Sequence, residues 1–291
     1  MSEPHGAVAP PPPDGISFHV VEDGVNRFRS TPMQSGIVGA TRLPGSQIAA
    51  ETLIIAHRST GRLPHSLHIH FVTAGDVVNP IIYDMTSVRD GRSTSLRHFT
   101  VRQRDDVRAL VTVSCSEPPR SADDGDDGDG TQWSEPLSGE HLDPEVPIDL
   151  VAPAATSPAM EAYDVRVALQ PSAGAKPSVH PFWAKAKRSP GTEPIDHLAC
   201  IAFVTDIGMS ATARAPGTPI YQRLAGASMD HTVWFQRPAR ADDWMLVSAE
   251  AVSFASSRGV AHGTVRTADG TILAVISQES LALKPPPRRS S

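Results

Sequence analysis

The sequence contains few cysteines, no long apolar run and no excess of positive charge. Two cysteines, Cys115 and Cys200, occur among its 291 residues, so we expect buried reduced thiols and no disulfide framework. No apolar run approaches the roughly 18 residues of a membrane-spanning helix, and the proline-rich residues 1–16 lack the apolar core of a signal peptide. The formal net charge of −6 argues against a nucleic-acid-binding surface. We therefore expect a cytoplasmic protein that neither spans a membrane nor binds nucleic acid.

Three segments contain too few apolar residues to form a packed core. They are a leader at residues 1–16, a tail at residues 285–291, and a stretch at residues 118–153 rich in Pro, Asp, Gly and Ser. Such compositions cannot bury enough apolar surface to offset the entropy lost on ordering. We expect a disordered leader, an acidic interdomain linker and a disordered tail. In the acidic run Ala122–Gly130, counted from Asp124, a glycine stands where a calcium-binding loop needs its third carboxylate, and no glycine stands at the sharp turn of such a loop. We therefore expect no metal site there.

Two stretches of the chain, His65–Gly91 and His231–Gly259, follow the same plan. Each begins with a histidine-led extended run, crosses a polar turn and continues as an alternating strand. Each then reaches what we call its Arg-Gly step, which is Arg89-Asp90-Gly91 in the first stretch and Arg258-Gly259 in the second. The offsets are nearly constant, 231 − 65 = 166 and 259 − 91 = 168. The pattern predicts two copies of one β-rich unit, which we place at residues 17–117 and 154–284.

Each half is predicted to contain one helix and a series of strands. In the first half, Ser46 can cap a helix that continues to Gly61, and strands follow from His65, at 80–88, at 93–103 and at 108–115. The second half repeats the plan, with a strand at 162–169, a helix from about Asp196 to Gly208, and strands near 228–235, 244–254, 259–267 and 271–281. A long helix wrapped by an antiparallel sheet is the hotdog fold. We therefore predict an α+β protein with two tandem hotdog units, a double hotdog.

The second predicted helix contains a single carboxylate. Between His197 and Thr212, Asp206 is the only acidic residue among apolar or small neighbours. A helix that is apolar on nearly all sides is buried, and burial of an unpaired carboxylate costs on the order of several kcal/mol. Asp206 is therefore the strongest catalytic candidate. The alternative is a carboxylate near the helix end that reaches solvent or caps the following turn.

The sequence resembles a known enzyme family in both halves. The matching pieces are GSQIAAETLIIA from Gly45, HSLHIHFVTAGDVVNPIIYDMTSVRDGRSTS from His65, MDHTVWFQRP from Met229, and DDWMLVSAEAVSFASSRGVAHGTVRTADGTILAVISQESL from Asp242. Together they are similar to the type II acyl-CoA thioesterases, the TesB and choloyl-CoA hydrolase group. The resemblance covers roughly residues 26–283, with the linker excepted.

The resemblance implies a function and a catalytic set. Family members hydrolyse acyl-CoA to a free fatty acid and coenzyme A without a cofactor or a metal. They place a catalytic aspartate on the second helix, where Asp206 stands, and water-positioning residues where Ser228 and Gln278 stand. By strand alternation Gln278 also shares a face with apolar residues, so it should be buried and require a hydrogen-bond partner. The expected mechanism is direct attack of a water molecule that these three residues hold, with one catalytic set per chain.

There are three alternatives to this predicted function and mechanism. A non-catalytic acyl-CoA-binding protein would hold the acyl chain in the same kind of tunnel as the enzyme, but it would not need Asp206, Ser228 and Gln278 together. An enoyl-CoA hydratase would need an Asp/His pair after the helix, but residues 208–219 contain no histidine. An acyl-serine mechanism at Ser228 lacks the closing glycine of a nucleophile elbow. His231, which follows Asp230, is interpreted as a structural residue.

The first half departs from the family pattern at two places. The helix is entered through Leu43–Ser46, where the family has an aromatic residue and a glycine pair, and VTAGD at Val72–Asp76 replaces a leucine-arginine-proline sequence. These changes leave the acyl chain length of the substrate open. Because hotdog sheets pair edge to edge, we expect a homodimer or homotetramer.

Overall fold

The protein consists of two similar halves that share one sheet. The computed structural model describes residues 18–33, 41–117, 162–168, 180–214 and 226–282. Within them are thirteen strands and three helices, which are α1 (Gly45–Thr60), α2 (Pro194–Thr205) and the short α3 (Met209–Thr212). The predicted leader, linker and tail all lie outside the described residues.

The first half contributes six strands and the second half seven. Those of the first half are β1 (Val21–Glu22), β2 (Arg27–Ser30), β3 (Leu63–Phe71), β4 (Ile81–Asp90), β5 (Thr94–Gln103) and β6 (Asp106–Ser116). Those of the second half are β7 (Tyr163–Val167), β8 (Phe182–Ala186), β9 (Gly226–Ser228), β10 (Asp230–Phe235), β11 (Met245–Ala255), β12 (Arg258–Thr267) and β13 (Ile272–Ala282). All the pairings between these strands are antiparallel.

The order of the strands confirms the internal duplication. Across the sheet it is β1-β2-β4-β5-β6-β3-β10-β13-β12-β11-β8-β7, with β9 beside β13. From the central pair β3 and β10 outward, the two sides list corresponding strands in the same order, so a pseudo-two-fold axis passes between these two strands. Leu67 and Val233 pair across it, and both are fully buried. The α+β double hotdog prediction is confirmed.

The helices of the two halves pack against each other and share one hydrophobic core. Leu53 and Ile55 of α1 lie in the same buried cluster as Ile201 of α2, together with residues of strands from both halves. Cys115 and Cys200 are buried free thiols, as predicted. None of the helices in the described ranges is long and apolar enough to cross a membrane.

Several predicted details were wrong. Ser46 does not cap α1, because the N-cap position is Pro44, whose side chain offers no hydrogen bond to the helix start. Gly61 does end this helix, in the left-handed conformation with φ of 67°. The two Arg-Gly steps are not equivalent, since Gly91 lies in the turn after β4 whereas Gly259 lies within β12, opposite Ser280. The short strands β1, β2 and β8 were not predicted.

Candidate active site

Gln278 lies at the centre of a cluster of hydroxyl groups. It is located on β13 and only 1% exposed. Its Nε2 lies 2.9 Å from Ser228 Oγ, 3.0 Å from Ser280 Oγ and 3.1 Å from Ser210 Oγ, and its two N–H groups donate to this set of hydroxyls. Ser210 Oγ is in turn 3.1 Å from Ser228 Oγ. The amide therefore holds Ser228 in place and is itself fixed by several partners.

His231 connects this cluster to the end of helix α2. Its imidazole is 1% exposed, with Nδ1 2.9 Å from Gln278 Oε1 and Nε2 2.9 Å from Oγ1 of Thr205, the last residue of α2. Burial lowers the pKa of His231, although the nearby charge of Asp206 partly opposes this effect. The neutral ring carries one proton, and an amide oxygen can only accept, so Nδ1 donates to Gln278. This bond directs the amide nitrogen of Gln278 toward Ser228.

Asp206 follows directly after Thr205 and is the C-cap of α2. The prediction that it lies inside the helix was wrong, because the helix ends three residues earlier than expected, and the carboxylate is only partly buried. Its Oδ2 accepts a hydrogen bond of 3.1 Å from the backbone N–H of Ser46, in the first turn of α1. The positive end of the α1 dipole therefore faces the carboxylate. Each half of the protein thus supplies one side of the site.

Gly45 allows this close approach of the two halves. A Cβ atom at position 45 would lie 2.6 Å from Cζ of Phe71 and 3.2 Å from Oδ2 of Asp206. Any other residue would have to displace the Phe71 ring or the carboxylate. The start of α1 is therefore part of the wall around Asp206.

A cleft of about 380 Å³ opens beside these groups. Its walls include Gly45, Ile48 and Phe71 from the first half, and Ser210, Ser228 and Leu281 from the second. Arg42 and Arg108 also line it. In the described part of the chain no hydrogen bond joins the Asp206 carboxylate directly to Ser228 or Gln278. Ser228 lines the cleft directly, and the Asp206 carboxylate lies next to Gly45, another residue of its wall.

The three predicted site residues lie at the same end of the paired helices. Ser228 and Gln278 are in direct contact, and Asp206 is linked to them through Thr205 and His231. The roles of Thr205, Ser210 and Ser280 were missed, and their sequence context carries no signal for them. The bonds of His231 could have been anticipated, because on β10 it alternates with Val233 on the buried face, which is the same argument that identified Gln278.

Family models and known proteins are similar to this chain over most of its length. A family model described as the acyl-CoA thioesterase C-terminal domain matches residues 116–282, and one described as the acyl-CoA thioesterase N-terminal domain matches residues 39–116. The chain is 28% identical to acyl-coenzyme A thioesterase 8 of Mus musculus over an alignment of 267 residues, and the match covers 84% of this chain and 81% of the relative. It is 27% identical to acyl-CoA thioesterase 2 of Haemophilus influenzae over an alignment of 264 residues, and this match covers 85% of this chain and 90% of the relative.

Solved structures show the same fold. The tesB protein of Mycobacterium avium subspecies paratuberculosis superposes with a TM-score of 0.73 at 22% identity, covering 92% of this chain and 97% of that one. Acyl-CoA thioesterase II TesB2 of Mycobacterium marinum gives 0.72 at 23% identity with the same coverage. Since the two matched domains together span most of the sequence, this chain belongs to the type II acyl-CoA thioesterase family.

Proposed function

We propose that the protein hydrolyses acyl-CoA to a fatty acid and coenzyme A by direct attack of water, with Asp206, Ser228 and Gln278 as the catalytic set. The observation that carries the proposal is the bond from Gln278 Nε2 to Ser228 Oγ, at 2.9 Å, on the cleft side that is linked to Asp206. A carboxylate that accepts protons and a hydroxyl-amide pair that holds water are the two parts that direct hydrolysis requires.

In the proposed reaction Asp206 acts as the general base. It takes a proton from the water held by Ser228, while the water oxygen bonds to the thioester carbonyl carbon. When the tetrahedral intermediate collapses, the carbon–sulfur bond breaks and the thiolate of coenzyme A leaves, taking the proton that Asp206 received. The fatty acid and the free thiol are the products, and the protein forms no covalent bond to the acyl group.

His231 is proposed as a positioning residue for this chemistry. Its Nδ1–H bond holds the oxygen of the Gln278 amide, so that the amide nitrogen must face Ser228. Its other ring nitrogen contacts Thr205, the neighbour of Asp206. The base and the water-holding pair are therefore kept in a fixed relation by one buried ring.

Arg42 is proposed to bind the phosphates of coenzyme A. It lines the cleft and is exposed to solvent, whereas the other cleft arginine, Arg108, already donates to Asp106 and to the carbonyl of Ala74. Guanidinium groups bind phosphate oxygens well, since they offer several donors in one plane. The nucleotide end of the substrate would then lie outside the cleft, with the thioester at Ser228.

A cytoplasmic location and a homodimer or homotetramer are also proposed. The location is consistent with the two cysteines, which are free and buried and form no disulfide in the described residues. The association is supported by Val252 and Phe254, which are exposed on one strand, β11, where a monomer would present apolar surface to water. Light scattering of the wild type and of Phe254→Asp tests it, and a monomeric wild type would exclude it.

The function is tested by incubation with palmitoyl-CoA and a thiol reagent. A hydrolase releases free coenzyme A, which the reagent detects continuously. A non-catalytic acyl-CoA-binding protein would bind the substrate and release none, and an enoyl-CoA hydratase would act only on an unsaturated thioester. Absence of thiol release by the folded wild type with acyl groups of several lengths would refute the proposed reaction.

A further inference from the structure

The proposed reaction places negative charge on the thioester carbonyl oxygen. When water adds to the carbonyl carbon, this oxygen carries the charge of the tetrahedral intermediate, and a hydrogen-bond donor placed beside it lowers the barrier. The polar side chains on the described wall of the cleft are those of Arg42, Thr73, Arg108, Ser210 and Ser228. A side-chain donor for the carbonyl oxygen must come from this set.

Four of these five side chains already have another role. Thr73 donates its hydroxyl hydrogen to a backbone carbonyl at 2.8 Å, and Arg108 donates to a carboxylate and to a second backbone carbonyl. Arg42 is exposed to solvent and is assigned to the phosphates of coenzyme A, and Ser228 holds the attacking water in the proposed function. Ser210 is the remaining polar side chain on the described wall.

The hydrogen bonds around Ser210 leave its own hydrogen for the cleft. Ser280 is 1% exposed, and its hydroxyl has two partners among the described residues, Gln278 Nε2 at 3.0 Å and Ser210 Oγ at 3.2 Å. The amide nitrogen can only donate, so the hydroxyl hydrogen of Ser280 goes to Ser210. Ser210 Oγ therefore accepts from the interior and can donate outward.

The direction of this chain of bonds makes Ser210 a stronger donor. Gln278 donates to Ser280, and Ser280 donates to Ser210, so each bond polarises the next. The oxygens of Ser210 and Ser228 are 3.1 Å apart, close to the separation of about 3–3.5 Å between reacting atoms. A carbonyl oxygen on one hydroxyl and a water molecule on the other would therefore be neighbours.

We propose that Ser210 is a catalytic residue whose Oγ–H donates to the thioester carbonyl oxygen, and that Ser280 is a positioning residue that directs this hydrogen into the cleft. The proposal rests on the proposed function and deepens it. As the water oxygen bonds to the carbonyl carbon, the π electrons of the carbonyl move onto the oxygen that Ser210 holds. They return when the carbon–sulfur bond breaks, and Ser210 keeps its hydrogen throughout.

The test compares two analogues of dodecanoyl-CoA that cannot be hydrolysed. In the ketone analogue a methylene replaces the thioester sulfur, and in the thioether analogue a methylene replaces the carbonyl group. Titration calorimetry on the full-length protein gives both Kd values. We expect Ser210→Ala to weaken binding of the ketone about fivefold or more and to leave the thioether unchanged. Ser280→Ala should weaken the ketone less, and Ser210→Thr, which keeps a hydroxyl, should bind both analogues nearly as the wild type does.

The rate of hydrolysis provides a second measurement. Ser210→Ala should lower kcat about a hundredfold with little change in KM, since the bond is stronger to the charged intermediate than to the substrate. Ser277→Ala is the matched control. The hydroxyl of Ser277 donates to the carbonyl of Ala261 and lies on the opposite face of β13 from Gln278, so this variant should stay near the wild type.

Two results would overturn the proposal. One is a folded Ser210→Ala variant that binds the ketone as the wild type does, or that loses the same affinity for both analogues. The other is a loss of ketone affinity in Ser228→Ala but not in Ser210→Ala, which would make Ser228 the donor. Failure of the proposed function is a separate result. A wild type that releases no coenzyme A would refute hydrolysis, while the Kd values would still decide whether Ser210 contacts the carbonyl oxygen.

Discussion

Glu51 should make the stability of this protein fall as pH rises. The side chain lies on α1 and is 1% exposed. Burial raises its pKa from 4.5 to about 7, although hydrogen bonds from Gln47, Ser30 and Tyr83 to the carboxylate partly offset this effect. The folded protein therefore holds a proton on Glu51 in a pH range where the unfolded chain has released it. Stability from this group is complete below about pH 4.5 and is lost as pH rises through about 7.

The size of the effect follows from the shift of the pKa. A difference of about 2.5 units corresponds to about 3 kcal/mol at 1.36 kcal/mol per unit. Most of this should be lost between about pH 5 and about pH 8. Buried His180 acts in the opposite sense, because burial lowers its pKa to about 4 and the folded state loses stability as pH falls. The pH dependence of the wild-type free energy of unfolding therefore contains contributions from both Glu51 and His180, and a variant is needed to separate them.

Glu51→Gln isolates the contribution of the carboxyl group. The amide has nearly the same shape and does not titrate, while His180 is unchanged. Urea unfolding of both proteins between about pH 5 and about pH 8 gives the difference in free energy of unfolding. We expect the wild type to lose roughly 2 to 3 kcal/mol relative to the variant as pH rises. A difference that stays constant with pH would refute the assignment of a protonated buried carboxyl group.

Three further predictions concern the active site. His231→Leu should lower kcat about tenfold or more with little change in KM. His231→Asn keeps a donor near the position of Nδ1 and should recover part of the loss, whereas equal effects of both variants would exclude the positioning role. Ser228→Thr should lose little activity and Ser228→Ala about 1–3 kcal/mol of transition-state stabilisation, whereas an acyl adduct on Ser228 after rapid quenching would overturn direct hydrolysis. Arg42→Ala should raise KM for acyl-CoA but not for a short thioester without the nucleotide, and a similar rise for both substrates would contradict phosphate binding.

The fold could be predicted largely from local patterns. In β5 the burial of side chains alternates without interruption from Thr94 to Gln103, and this alternation is visible in the sequence. The αL position of Gly61 ends α1 where the glycine indicated. The strands β2 and β8 have four and five residues, too few for a periodic pattern, and they are defined by pairing with β4 and β11.

The candidate site could be predicted only in part. Gln278 and Ser228 were identified from the family resemblance, and burial of Gln278 followed from strand alternation. The bond between His231 and Gln278 depends on the register of β10 against β13, which local sequence does not encode. The position of Asp206 was misjudged because the helix ends at Thr205, before a turn that leads to Gly208 with φ of 76°. The contact of Asp206 with Ser46 joins residues 160 positions apart.

The carboxylate of Asp206 is proposed as the general base of an acyl-CoA hydrolase. The direct measurement is kcat for release of coenzyme A by Asp206→Asn, with Asp230→Asn as a matched control. Asp230 accepts a backbone hydrogen bond from Glu279 that an asparagine oxygen can also accept. We expect Asp206→Asn to lower kcat about a hundredfold or more with little change in KM, and Asp230→Asn to stay near the wild type. Turnover near the wild-type value in folded Asp206→Asn would contradict the proposed mechanism.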